Sequence, residues 1–436
     1  MTILAGGCTS RAQQEIHPQW IRNAAIYEVN TRQITPEGTF SALSGLLPGL
    51  REMGVDVLWF MPIYPIGSQG RKGTLGSYYS IKDYGAVNPE FGTLDDFSRL
   101  VEQAHGLGMK VILDWVAAHT SRDAVWLDQE DWYIRRPDGT PEFLYDWSDV
   151  ARLNYQSQPM RQAMLEKMLF WLEEVNVDGF RCDMADLSPV DFWEWAVPQL
   201  RKAKPDIFML AESENPVNTQ KAFNAYYAWK LHHTMNSVAK GEKNADSLRL
   251  CLDQMARDFG RNPIPLLFTS NHDENSWSGT EFERMGEAVF QMAAFSFVLP
   301  GVPLIYTGQE VGNTKRLAFF EKDTLQPHQS ELFTDFYSRL ITFRKASHAL
   351  QVPPYGGLLQ EVPHSGPSCL FAFTREAEGN QVLALFNFSS QPVSFQLTGS
   401  QTEGTYTDWN GADQYSIDAR LNWDLEPYGY RLLTLE

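Results

Sequence analysis

Strand-like apolar runs alternate with helix-like amphipathic segments along most of this 436-residue chain, and no other feature restricts its fold as much. AIYEV at 25–29 gives way to a helical pattern over 43–53, and VDVLWF at 55–60 to apolar residues spaced by three and four over 94–107. KVILD at 110–114 follows. After an irregular stretch come a helix over 161–174, the strand GFRCD at 179–183 and a helix over 189–202. IFMLAE at 207–212 precedes a polar helical region reaching 256, with a sixth strand expected near 225–230. PLLFT at 265–269, a helix over 284–297, VPLIY at 302–306 and a helix over 332–345 complete the series. Strands that read as continuous apolar runs are buried on both faces, so eight strand–helix repeats predict a (β/α)8 barrel, an α/β fold, over an open doubly wound sheet.

The pattern changes near 350. The segments 369–374, 382–388, 393–397 and 428–435 are strand-like, separated by Gly, Ser, Asn and Asp, and carry no helical period. The expected organisation is a tail at 1–19, a barrel at 20–349 interrupted by an excursion at 119–158, and a C-terminal all-β sandwich at 350–436. The excursion carries Trp126, Trp132, Tyr133, Tyr145 and Trp147, and a loop of that length in a barrel is usually functional.

A barrel strand wants Val or Ile, yet Arg181 and Asp183 share one face of GFRCD. Burying a carboxylate costs several kcal/mol unless it is paired. Similar groups end other strands: Asp114 and His119 the third, Glu212 the fifth, and Asn271, His272 and Asp273 the seventh. Taken singly, each reads as a capped or paired side chain. Barrel active sites lie at the C-terminal strand ends, so their joint placement on one rim reads as a catalytic cluster.

A formal charge of −18 argues against nucleic acid or an anionic membrane as partner and favours a neutral or cationic ligand. The 13 Trp, 17 Tyr and 26 Phe suit either packing or stacking on sugar rings. Cys8, Cys182, Cys251 and Cys369 lack metal-ligand spacing and read as unpaired thiols. No apolar run is long enough to span a bilayer, so no integral membrane segment is expected. MTILAGGCTS resembles the tail of a bacterial lipoprotein signal around Cys8, without the charged start and with Ala5 where Leu is usual; it reads equally as a truncated N-terminus. Periplasmic or cell-surface placement would follow from the first reading, cytoplasmic from the second.

Carboxylates converging in an aromatic-lined cleft suit glycoside hydrolysis, which needs a nucleophile or base and an acid. From residue types alone, a divalent-metal hydrolase or lyase stays open.

DWVAAH at 114–119, GFRCD at 179–183, AE at 211–212 and SNHD at 270–273 resemble the four ordered signature regions of the α-amylase family of glycoside hydrolases. GVDVLWFMPI at 54–63, Tyr79 with Asp83 and Tyr84, and GVPLIYTGQE at 301–310 resemble its further landmarks. The resemblance implies a retaining hydrolase of α-glucosidic, mostly α-1,4, bonds in starch, glycogen or maltooligosaccharides. Asp183 would be the nucleophile, Glu212 the general acid then base, and Asp273 the third carboxylate, holding sugar hydroxyls. Arg181 would pair with Asp183, lowering its pKa, while Glu212 stays protonated. His119 and His272 would hydrogen-bond the sugar, Tyr79 would stack on it, and Asp114 would shape the site.

Two departures accompany the match. Calcium-dependent relatives carry Asn before the first-region His where this chain has Ala118, and Lys-His where it has Asp186 and Leu187. The usual structural calcium is therefore expected to be absent, with no other cofactor, and Leu187 is expected to fill part of the space. A transglycosylase on the same site is the alternative enzyme. A non-catalytic amylase-like binding protein is disfavoured, because such proteins usually lose catalytic carboxylates and all three are present.

Overall fold

The computed structural model describes residues 16–411, 413–418 and 420–436. Cys8 and most of the tail at 1–19 lie outside them. Eight parallel strands close into a barrel: β1 (Ile26–Val29), β2 (Val57–Phe60), β3 (Lys110–Val116), β6 (Gly179–Asp183), β7 (Phe208–Ala211), β8 (Ala225–Tyr227), β9 (Ile264–Leu267) and β10 (Val302–Tyr306). An antiparallel two-stranded ribbon, β4 (His119–Ser121) at the start and β5 (Val150–Arg152) near the end, ties together the two ends of the excursion after β3.

Side-chain alternation separates two cores. Ile26, Val57, Trp59, Ile112, Phe208, Leu210, Ile264, Leu266, Val302 and Leu304 fill the barrel interior. Their neighbours Tyr27, Leu58, Leu113, Phe180, Met209 and Ile305 pack outward against the helices. Parity explains the charged strand residues. Phe180 and Cys182 face the helices, so Arg181 and Asp183 point inward; Glu28 follows Ile26, Asp114 follows Ile112, and Glu212 follows Leu210 in the same way. The polar groups form a layer above an apolar plug.

Around the barrel run α1 (Phe40–Ser44), α2 (Leu47–Met53), α3 (Leu94–Gly106), α4 (Gln158–Glu173), α5 (Val190–Ala203), α6 (Trp229–Ala239), α7 (Ala245–Phe259), α8 (Glu281–Met285), α9 (Val289–Val298) and α10 (Ser330–Ala346). The helix expected over 43–53 is two. Pro48 sits in the first turn of α2, where its missing N–H is tolerated, so α1 cannot continue through it. The helix expected over 284–297 divides where Gly286 adopts φ 54°.

A six-stranded antiparallel sheet follows, ordered β11 (Gln360–Glu361), β12 (Leu370–Ala377), β13 (Asn380–Asn387), β18 (Tyr430–Leu435), β15 (Gly404–Asp408), β16 (Gln414–Ile417), with β14 (Val393–Gln396) paired to β17 (Asn422–Leu425). Its β12–β13 face packs on α9, where Phe295 meets Phe371, Phe373, Phe386 and Phe388. Buried Arg375 donates to the carbonyls of Val298 and Leu299, both at 3.0 Å, satisfying the α9 C-terminus. Among the described residues Cys182, Cys251 and Cys369 are free, and no helix is long and apolar enough to cross a membrane.

Candidate active site

The C-terminal ends of the strands open into a cavity of about 520 Å³ whose lining includes Tyr79, His119, Asp183, Glu212, His272 and Asp273. Beneath its floor lie Arg181 and Asp114, both fully buried and in contact with the lining residues Asp183, Glu212 and Tyr79. Asp114 does not end β3 as the sequence suggested; it sits within the strand, in register with Arg181. His119 begins β4 after the chain has left the barrel.

Arg181 organises the floor. Its Nη1 donates to Asp114 Oδ1 at 2.9 Å and Asp183 Oδ1 at 3.1 Å, its Nε donates to the Tyr227 hydroxyl at 3.1 Å, and its Nη2 lies 2.8 Å from Glu212 Oε2. One cation therefore serves three carboxylates. Burial, only partly opposed by that cation, raises Asp183 from 3.8 to about 7 and Glu212 from 4.5 to about 7. Asp114 rises to about 6, burial again leading and Arg181 opposing. The expectation that Arg181 would hold Asp183 below its ordinary range is thereby corrected, because desolvation outweighs a guanidinium already shared with Asp114 and Glu212. Near neutral pH the carboxylates titrate as a coupled set.

Local backbone geometry fixes these groups. Gly179 opens β6 at φ 154°, and a Cβ there would lie 2.0 Å from the Phe208 carbonyl oxygen, so only glycine lets β6 approach β7 so closely. Past Asp183, Met184 adopts φ 38°, uncommon for a residue other than glycine, and its N–H donates to Glu212 Oε2 at 2.8 Å. Glu212 Oε2 and Asp183 Oδ1 are thus engaged by donors, leaving Oε1 and Oδ2 uncommitted among the described residues.

The histidines differ in charge. Burial lowers His119 to about 4, so it is neutral, and its Nε2 donates to the Tyr79 carbonyl at 3.1 Å. Burial also disfavours His272⁺, but Asp273 and Glu28 outweigh it and raise His272 to about 9. Glu28 Oε1 accepts from His272 Nδ1 at 2.5 Å, while His272 Nε2 lies 2.7 Å from the Tyr79 hydroxyl and 3.3 Å from Asp273 Oδ2. Tyr79 in turn donates to Asp114 Oδ2 at 3.1 Å.

Sequence reasoning missed Glu28. Its signal was a lone carboxylate inside the apolar run AIYEV, the same feature that drew attention to Arg181 and Asp183. It also missed Lys72, Asp146, Asp149, Trp277, Phe319 and Phe320 in the cavity wall, which come from loops without periodicity.

Metal-holding groups are few. Among the described residues, His232, His233 and Glu274 could offer ligand atoms within 4.8 Å of one another, but Arg284 Nη1 lies 3.7 Å from Glu274 Oε2, and His232 contacts Asn236 and the Phe268 carbonyl. The residues at the position of the family's usual structural calcium fit that ion poorly. Ala118 and Leu187 offer no side-chain oxygen, and the Ala118 carbonyl accepts the Leu153 N–H at 3.1 Å.

A closed parallel barrel whose C-terminal rim carries paired carboxylates beside sugar-sized aromatic walls is the architecture of a glycoside hydrolase. The family model for the alpha amylase catalytic domain matches residues 22–347, and that for the maltogenic amylase C-terminal domain matches 361–432. The chain belongs to the α-amylase family. It is 28% identical over 423 residues to alpha-amylase MalA of Haloarcula japonica, covering 93% of this chain and 61% of that protein. It is 37% identical over 217 residues to an alpha-1,4-glucan:maltose-1-phosphate maltosyltransferase of Rhodospirillum rubrum, covering 44% of this chain and 31% of that protein. The chain thus spans less than two thirds of either relative. Among solved structures, the maltogenic alpha-amylase AmyB of Thermotoga neapolitana superposes with a TM-score of 0.87 at 27% identity, covering 95% of this chain and 99% of that one.

Proposed function

We propose that this protein hydrolyses α-glucosidic bonds, mostly α-1,4, in starch, glycogen or maltooligosaccharides, with retention of configuration. The observation that carries the reading is the gathering of Asp183, Glu212 and Asp273 on one aromatic-walled cavity above Arg181. Asp183 Oδ2, left uncommitted by Arg181, attacks the anomeric carbon as the bond to the leaving oxygen breaks. Glu212, held near neutrality by burial, gives that oxygen a proton through Oε1. Water then attacks the glycosyl–Asp183 ester, losing its proton to Glu212, and the sugar leaves. Asp273 and His272⁺ hold ring hydroxyls, His119, a neutral imidazole whose one N–H goes to the Tyr79 carbonyl, keeps Nδ1 as an acceptor, and Tyr79 offers its ring face. Asp114 spaces Arg181 from Tyr79. We propose also that no calcium supports the excursion after β3, a reading supported by the lack of side-chain oxygens at Ala118 and Leu187.

The same site with a sugar hydroxyl in place of water is a transglycosylase, the reading favoured by the maltosyltransferase relative. A phosphorylated sugar suits this cavity poorly. Asp146, Asp149, Asp183, Glu212 and Asp273 line it, and Lys72, the one Lys or Arg in the lining among the described residues, lies 3.6 Å from Asp149 Oδ1. A neutral acceptor therefore fits better than a phosphate. Timed chromatography of products from maltoheptaose and soluble starch tests both readings: shorter chains indicate hydrolysis, chains longer than the substrate indicate transfer, and no turnover between pH 5 and 8 would refute the assignment.

A further inference from the structure

A row of rings leads from the cavity floor to its rim. Tyr79 lies nearly parallel to Phe319, with centroids 6.2 Å apart and planes 16° from parallel, and Phe319 lies 5.2 Å from Trp277. Trp277 is 56% exposed although it lines the cavity. Singly exposed aromatics are common and need no explanation. This one continues an ordered row inside a cleft, and its neighbours hold it firmly.

Trp277 sits in the single wide helical turn Glu274–Ser278, closed by the Gly279 N–H on the Glu274 carbonyl at 2.9 Å. Such turns recur at functional sites. The turn directly follows Asp273, so one rigid piece of backbone carries both the third carboxylate and the ring. Asn275 Oδ1 accepts from the Leu317 N–H at 2.8 Å and Ser276 Oγ donates to the Leu317 carbonyl at 2.8 Å, tying the turn to the loop bearing Phe319 and Phe320. That loop is in turn laced to the loops after β1 and β2. Buried Arg32 donates to the carbonyls of Gly76 and Phe319, both at 3.1 Å, and Gln33 donates to those of Ala318 at 3.0 Å and Glu321 at 2.8 Å. A wall pinned from three loops loses little side-chain entropy when a ligand settles on it.

We propose that Trp277, backed by Phe319, is a stacking platform for a second glucosyl unit of a neutral α-glucan chain, next to the unit held by Tyr79 and His272; this rests on the glycosidase reading above. The ring's exposed face supplies apolar contact to the axial C–H face of a pyranose, and Asp273 on the same turn supplies a hydroxyl acceptor at the boundary between the two units. Chain length then enters selectivity through Trp277, because a ligand of one sugar cannot reach it while holding the cleavage position.

The test compares maltoheptaose with α-glucosyl fluoride, which carries a single sugar, in wild type, Trp277→Ala and Trp277→Phe. The ratio of kcat/KM for maltoheptaose to that for α-glucosyl fluoride should fall about tenfold in Trp277→Ala, mainly through KM, and recover most of its value in Trp277→Phe. Calorimetric titration of maltoheptaose into Glu212→Gln, with and without Trp277→Ala, should give a matching loss of affinity. An unchanged ratio, or an equal fall on both substrates, would overturn the platform while leaving the glycosidase reading intact. Failure of wild type to turn over either substrate, with no binding to Glu212→Gln, would remove that reading and the platform with it.

Discussion

Replacing Glu28 by Gln removes a buried charge while keeping an oxygen to accept from His272 Nδ1, which isolates the electrostatic part of the 2.5 Å contact. His272 stands at about 9 against an ordinary 6.5, after burial has been overcome by Asp273 and Glu28 together. At 1.36 kcal/mol per pKa unit, that elevation is on the order of 3 kcal/mol, and an equal division between the carboxylates gives Glu28 roughly 1.5 kcal/mol, about tenfold in imidazolium population. A histidine raised in the folded state contributes stability that is complete below 6.5 and lost as pH climbs through about 9. Glu28 is itself raised by burial, so its ionised form is costly, and its removal relieves part of that penalty. The variant should therefore change little in melting temperature. Its activity should change more. On the alkaline side kcat/KM, which reports the free enzyme, should fall first as Glu212 loses its proton near 7 and further as His272 loses its own near 9; this second part of the alkaline limb should move acidward by about one pH unit in the variant, while Arg181 and Asp273 remain. Measuring kcat/KM on maltoheptaose from pH 5 to 10 for wild type and Glu28→Gln checks this. An unmoved alkaline limb, or a shift confined to the acid limb, would refute the role given to the Glu28–His272 pair.

Three further outcomes are expected. Glu212→Gln should abolish turnover of maltoheptaose yet melt higher at pH 8: a carboxyl raised from 4.5 to about 7 penalises the fold once ionised, by on the order of 3 kcal/mol, so the gain should be absent near pH 4 and grow between 4.5 and about 7 in calorimetric scans. Gly179→Ala should lose roughly 2 kcal/mol or more in denaturant unfolding, since the added Cβ meets the Phe208 carbonyl and the backbone is strained; wild-type stability there would contradict the close β6–β7 approach. EDTA should leave melting temperature and activity unchanged, whereas a large fall restored by calcium would reveal a site built from other oxygens.

Much of the barrel was legible because its strands are buried on both faces and so read as unbroken apolar runs. Even the three-residue β8 fell within the expected 225–230. The gathering of Asp183, Glu212 and Asp273 was legible for a related reason: charges at the ends of such runs conflict with burial unless they are used. What stayed hidden depends on three-dimensional neighbours. β15, β16 and β17 alternate buried and exposed residues over four or five positions, too short to stand out from turns. Glu28 lacked a motif, and its partner His272 lies 244 positions away. The elevated Asp183 follows from how many acids share Arg181, which no local pattern records. Trp277 and Phe319 meet only because two loops are laced together by Asn275 and Ser276.

The central claim is that Asp183 forms a covalent bond to the sugar with Glu212 serving the departing and entering oxygens. α-Glucosyl fluoride tests it directly in Glu212→Gln: fluoride departs without a proton, so the C1–F bond breaks as C1–Oδ2 forms, and the missing base then slows attack by water. Peptide mass analysis of rapidly quenched protein should find one anhydroglucose unit on the peptide containing Asp183, absent from Asp183→Asn. Fluoride release without any adduct, or an adduct on another carboxylate, would contradict the mechanism.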